Sequence, residues 1–220
     1  MQEYLEPTDI IDSDHPEVAT FARKHGDEKG DPRTTAVKLY YAVRDGIRYD
    51  PYNAGAEVES LRASSVLASG RGWCVTKAVL LSAACRSLGI PARLGFADVR
   101  NHLSTERLRE SMKTDVFYFH GYSSINLDGR WLKATPAFNV ELCEKFRLLP
   151  LEFDGTEDSI FHAFDADGRK HMEYIRDRGE FADVPVEDLQ RTLREKYPSM
   201  MGSGLDNADF ESDVARETGR

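Results

Sequence analysis

The sequence predicts an α+β fold, helices first and an antiparallel sheet after them, and three observations carry that prediction. Residues 31–47 place an apolar stripe at helical spacing behind an aspartate and a proline. A second helical run follows Cys74 and stops at Gly89 and Pro91. Beyond it lie two β-prone runs joined by Asp128-Gly129, the two-residue signature of a tight hairpin.

Each element has its own local reason. "DSDHPEVATFARKHG" offers acidic caps, a proline in the first turn, and Val18, Phe21 and Ala22 at helical spacing before Gly26. In "GDPRTTAVKLYYAVRDGIRYD", Asp31 caps, Pro32 suits the first helical position, and Ala36, Leu39, Tyr40, Val43 and Ile47 share one face. "SSVLASG" reads as one short turn. The helix after Cys74 puts Ala78, Leu81, Cys85 and Leu88 on one stripe. "ARLGFADV" is a short strand, and "STERLRESM" is a polar helical excursion with Ser104 as its cap. From Leu149 the chain turns acidic, aromatic and irregular, ahead of a helix-like "VEDLQRTLREKYP". Residues 1–200 read as one domain, with a core at about 32–140, an irregular extension over 141–200, and a small, polar, fraying tail at 201–220.

Composition narrows the function. The 220 residues are 40% hydrophobic and 30% charged, ordinary for a globular protein that buries a core. A net charge of −9 disfavours nucleic acid or an anionic membrane as partner. No apolar run approaches the length of a membrane span, and the start has neither the basic nor the apolar region of a signal peptide. The cysteines Cys74, Cys85 and Cys143 are few and odd in number, which fits reduced thiols in a cytoplasm better than a disulfide framework. The six histidines are scattered, without C-x-x-C or H-x-x-x-H spacing, so no metal or cofactor is expected. There is likewise no phosphate-binding glycine loop and no G-x-S-x-G elbow.

Cys74 stands out by position. A helix N-terminus supplies unpaired N–H donors and partial positive charge, and both favour the thiolate, the nucleophilic form. A single intracellular cysteine is more often a small buried hydrophobe, which describes Cys85 and Cys143. A nucleophilic cysteine needs a histidine base, and that base needs a third group to hold its ring. His120 lies 46 residues on, within a strand. A lone strand histidine is more often a satisfied polar residue; one that follows a cysteine-led helix and precedes a hairpin partner is less generic.

These residues resemble the transglutaminase-like superfamily, related to papain-type cysteine proteases. The resemblance rests on "GRGWCVTKAVLLSAACRSLGIPARL", on "FHGYSSINLDGRW", and on the tryptophan-to-proline pattern that ends the partner strand, and it covers roughly Leu61 to Asn139. It implies a papain/transglutaminase-like core, with a cysteine-bearing helix packed on an antiparallel sheet that bears the histidine and a third residue. It also implies thiolate attack on an amide or ester, an acyl-enzyme, and transfer to water or an amine. The substrate would be a peptide, a protein or a small amide.

The sequence departs from the family at the third member, where relatives carry aspartate in the pattern W-x-x-x-D-P. Here the spacing reads Trp131 to Pro136 with Thr135 in the acid's place. A hydroxyl can orient an imidazole but cannot stabilise an imidazolium as a carboxylate does. With a two-residue loop, Leu127 faces Arg130 and His120 faces Ala137, so Thr135 and Asn139 are its diagonal neighbours. Thr135 is favoured by position and Asn139 by chemistry. Asp98, Asn101 and His102 follow the next strand and could face the cleft, Asp98 as a substitute carboxylate. Trp73 could wall the site, and Tyr49 and Tyr52 could line a groove. The rival reading is a catalytically impaired member of the same fold that binds a protein or peptide, which the missing acid supports and the retained cysteine and histidine oppose.

Overall fold

In the computed structural model, which describes residues 1–101, 104–160, 167–168, 172–200 and 208–219, the chain begins with a helical first third. Helix α1 (Pro16–His25) packs beside α2 (Pro32–Gly46). Strand β1 (Arg48–Tyr49) follows, then α3 (Val58–Leu61), α4 (Ala63–Ser69) and β2 (Arg71–Gly72). Helix α5 (Cys74–Ser87) leads into β3 (Ala92–Asn101), α6 (Glu106–Met112), and the hairpin β4 (Val116–Leu127) and β5 (Arg130–Ala134). The remainder is α7 (Val140–Phe146), β6 (Met172–Phe181), α8 (Val186–Lys196) and α9 (Phe210–Thr218). The main sheet has the order β5-β4-β3-β6, antiparallel throughout, with α5 against β4 and β3.

The clearest sequence signals form as read. Asp31 accepts a hydrogen bond from the Thr34 N–H at 3.0 Å, and Ala36, Leu39, Tyr40 and Val43 are fully buried. The hairpin pairs Leu127 with Arg130, and positive φ at Asp128 and Gly129 gives the turn its hand.

Other readings change. The α1 cap is the His15 ring, which accepts from the Glu17 N–H, rather than an acid. Thr105, not Ser104, caps α6, because its hydroxyl reaches the Leu108 N–H. "SSVLASG" belongs to α4, a helix longer than one turn. Helix α5 is buried on every side from Cys74 to Arg86, not on one stripe. It lies between the sheet and α1, α2 and α4, so its polar residues must find partners inside. Lys77 Nζ donates to the Arg44 and Ile47 carbonyls at the end of α2, and Arg86 donates to the carbonyls of Ala92, Glu6 and Ala182. Burial nonetheless lowers the Lys77 amine to about 7.

The extension holds more regular structure than its composition predicts. Strand β6 completes the sheet as an edge whose side chains are mostly polar and partly exposed, so it shows no apolar alternation. Residues 208–219 carry α9 where a fraying tail is expected. Phe210 packs edge-on to Tyr49 and Tyr52, and Asp213 accepts from the Tyr52 hydroxyl and pairs with Arg107.

The buried thiols make stability depend on alkaline pH. Burial pushes Cys85 and Cys143 up to about 12 and Cys74 up to about 11, so the fold holds all three protonated. Unfolded thiols ionise from about pH 8.5. Above that pH the native state binds more protons than the unfolded chain, and stability falls as pH rises through the folded values. Urea midpoints should therefore hold near pH 7–8 and drop between pH 9 and 11; a flat profile would contradict the burial of the three thiols.

Candidate active site

The site is built where α5 begins. Parallel pairing of β1 with β2 holds the approach, Tyr49 opposite Gly72. Gly72 admits a tight turn into the helix, since a Cβ there would lie 2.7 Å from Thr76 Oγ1. That hydroxyl accepts from the Trp73 N–H at 3.0 Å, closing the first turn from within the helix. Cys74 is the first helical residue, as the sequence indicates.

Strand β4 meets this helix end at Gly121. A Cβ on Gly121 would sit 2.8 Å from the Val75 Cα, so only glycine lets the strand come this close. The backbone N–H groups of Gly121, Val75 and Cys74 all act on the Cys74 sulfur and favour its thiolate. Burial acts the other way and wins: Cys74 is 3% exposed and its thiol is pushed up to about 11. The helix-start argument from sequence is right about the donors and omits the desolvation. His120 immediately precedes Gly121, is buried, and pairs in register with Ala97 of β3.

A cavity of about 40 Å³ abuts Cys74, walled by Tyr49, Trp73, Leu108, Met112, Tyr118, Leu193, Tyr197 and Met200. That volume suits one or two waters, not a substrate side chain. Part of the cover comes from α8 and the residues after it. The Tyr197 hydroxyl donates to the Val116 carbonyl at 2.8 Å and accepts from the Tyr118 N–H at 2.7 Å. Two hydrogen bonds thus hold Tyr197 down on β4 beside the cysteine.

The predicted third members do not sit as the extended hairpin register expects. Thr135 is buried, but its hydroxyl has no hydrogen-bond partner among the described residues, so it does not hold the His120 ring. The reason lies in the strand. After Ala134 the chain leaves the β4 ladder and pairs with Ser159, and the Thr135 carbonyl turns to the Tyr40 hydroxyl. Hairpin register therefore ends before 135, and diagonal neighbours of His120 cannot be counted past it. Asn139 starts α7, and its side-chain oxygen accepts from the Tyr49 N–H at 3.2 Å, tying β1 to that helix.

Asp98 is buried on β3, where its Oδ1 accepts from the Phe119 N–H and from Arg178, while the nearby Arg100 pairs with Asp115. Asn101 is buried at the end of β3, where its N–H donates to the Asp115 carbonyl, and His102 lies outside the described residues. Trp73 does wall the cavity, as does Tyr49, whereas Tyr52 is bound to Thr105 and Asp213. Among the described residues no cluster of three His, Cys, Asp or Glu could hold a metal, and no helix is long and apolar enough to cross a membrane. Sequence reasoning missed Gly121 and Tyr197. A glycine inside a β-run is a readable sign of close backbone approach; nothing local marks Tyr197.

The sequence profile of the transglutaminase-like superfamily matches residues 19–136, more than half of the chain. Among solved structures, one from Cytophaga hutchinsonii, provisionally named a cysteine protease, superposes with a TM-score of 0.47 at 16% identity. That match covers 81% of this chain and 53% of the other, so the chain spans about half the length of that protein. One from Parabacteroides distasonis, provisionally named a protease, gives 0.38 at 17% identity over 54% and 22% of the two chains. No curated protein matches the chain.

Two variants probe this geometry. Gly121→Ala should lower stability by about 1–3 kcal/mol in urea unfolding, because the added methyl meets backbone. Gly46→Ala, with open space around it, is the control and should cost nothing; equal effects would show that β4 does not press on α5. Tyr197→Ala should speed iodoacetamide alkylation of Cys74, and an unchanged rate would remove Tyr197 from the cover.

Proposed function

Because the chain belongs to the transglutaminase-like superfamily, we propose that it is a cysteine-dependent hydrolase or acyltransferase with Cys74 as nucleophile and His120 as base. The observation that carries this reading is the contact of the α5 N-terminus with β4, which brings the Gly121 N–H to the Cys74 sulfur one residue from His120. In the proposed reaction His120 takes the thiol proton, and the thiolate attacks the carbonyl carbon of an amide or ester. A C–S bond forms and the carbonyl π pair moves onto oxygen, where the Cys74 N–H is one donor. The imidazolium then returns its proton to the leaving amine or alcohol as that bond breaks, which leaves a thioester. Water or an amine, deprotonated by His120, attacks the thioester and releases the acyl group and the thiol.

Cys74 is too buried for a substrate to reach in this arrangement. The cover that includes Leu193, Tyr197 and Met200 has to shift for a peptide or protein segment to enter. Opening would also hydrate the sulfur, relieve the desolvation that holds it protonated, and leave the N–H donors in place. The second reading, a non-catalytic binding module of the same fold, is favoured by the thiol's rise to about 11 and by threonine at the acid's position.

The two readings separate on a thiol-directed acyl probe followed by a peptide library. The catalytic reading expects labelling at Cys74, loss of both labelling and turnover in Cys74→Ala, and a fall of about 100-fold or more in acylation rate in His120→Ala. Absence of labelling, or equal labelling of His120→Ala, would leave the binding module.

A further inference from the structure

The residue before His120 has an unusual backbone. Phe119 sits at φ 59°, in the left-handed region that a bulky side chain rarely adopts. Strand β4 carries an extra residue at this point. His120 pairs with Ala97 and Phe117 with Val99, so Tyr118 and Phe119 together oppose Asp98 alone. The other neighbour of β3 is bulged at nearly the same level: Gly179 pairs with Phe96 and Asp177 with Ala97, leaving Arg178 as one extra residue of β6, and Ile175 is a second, between the pairs Asp98–Arg176 and Val99–Tyr174.

Asp98 lies between the bulge at Phe119 and the one at Arg178 and binds both. Its Oδ1 accepts from the Phe119 N–H at 3.2 Å and from Arg178 Nε. The Arg178 guanidinium in turn lies over the Phe119 ring, 4.3 Å from its centroid. Asp98 and Phe119 are both buried. A bulge removes a backbone N–H from the ladder, and a buried N–H needs an acceptor; the carboxylate supplies it at the residue whose conformation is least favourable. A left-handed residue also turns the next peptide, and here the next peptides carry His120 and the Gly121 N–H.

We infer that Asp98 is a positioning residue: by holding Phe119 left-handed, it aims His120 and the Gly121 N–H at Cys74. The purpose of that aim rests on the catalytic reading above; the aim itself can be measured without it. Asp98 thus acts through the backbone of the histidine strand, not as the carboxylate that touches the imidazole.

The experiment uses the full chain with 15N-labelled histidine. The His120 ring resonances are read by NMR beside the rate of Cys74 alkylation by iodoacetamide at fixed pH. Four forms are compared: wild type, Asp98→Ala, Asp98→Asn, and Asp98→Ala combined with Phe119→Gly. Asparagine keeps an oxygen for the Phe119 N–H, and glycine adopts positive φ without an anchor.

The expected result is that Asp98→Ala shifts the His120 resonances and slows alkylation at least about tenfold. Asp98→Asn and the double variant should both return towards wild type, although the double variant has lost a buried ring and should unfold at a lower temperature. A merely structural role predicts the reverse order, with the less stable double variant the worse of the two. The inference is overturned if folded Asp98→Ala leaves His120 unmoved, or if the double variant is no closer to wild type than the single. Should Asp98→Ala not fold, a folded double variant with wild-type resonances supports the inference; displaced resonances, or failure of both to fold, overturn it. His120→Ala in the same alkylation assay tests the catalytic pairing separately. An unchanged rate there removes the pairing but leaves the NMR result on Asp98 standing.

Discussion

The contact on which everything else depends is the approach of β4 to the first turn of α5 at Gly121. No other residue type fits between the strand and the Val75 backbone. That approach brings the neighbour of His120 to the Cys74 sulfur and fixes how α5 lies on the sheet. The helix then has to be covered from behind by α1, α2 and α4, which leaves it no solvent face. Its polar residues become structural bolts: Ser82 meets Ser123 on β4, Lys77 closes the end of α2, and Arg86 collects the carbonyls of Ala92 at the start of β3 and of the distant Glu6 and Ala182. A buried helix of this kind tolerates little local freedom, which suits the nucleophilic role proposed for Cys74.

The same burial sets a conflict at the cysteine. Three backbone N–H groups pull the thiol towards ionisation, and desolvation pushes it further in the opposite direction. Both come from packing the helix start against the strand and the apolar wall. The wall is built in part from the C-terminal third of the chain, with Tyr197 hydrogen-bonded to β4 and Phe210 of α9 set against Tyr49. Charge holds α9 to the core: Glu211 pairs with Arg48 and Lys145, Asp213 with Arg107, and Glu217 accepts from the Glu106 N–H at the start of α6. In an acidic chain, this places carboxylates of α9 against basic residues of β1, α6 and α7. Most of these pairs are partly exposed, so each contributes little by itself and is weakened by salt.

Legibility in the sequence followed locality. Asp31 with Pro32, the Asp128-Gly129 turn, and the helix beginning at Cys74 depend on neighbours within a few residues, and all three form as read. The edge strand β6 was not legible, because its pattern is polar and its reason for being a strand is the open edge of β3. Thr135 and Asn139 were placed by extending hairpin register beyond the point where Ser159 takes over the pairing. Asp98 was recognised as a candidate, but the side chain that holds it is Arg178, 80 residues away.

By itself the sequence determined the family, the helix that presents Cys74, the strand that carries His120, and the turn that returns it, since each is written in short-range spacing and turn chemistry. Only the tertiary structure decided how near Gly121 comes to Cys74, that the thiol is desolvated, that Tyr197 closes over it, and that Thr135 makes no bond to the imidazole. Those are properties of volume, burial and register between segments far apart in the chain. Hydrogen-bond partners and desolvation are set by what surrounds a group after the chain has packed, and spacing along the chain does not encode that surrounding.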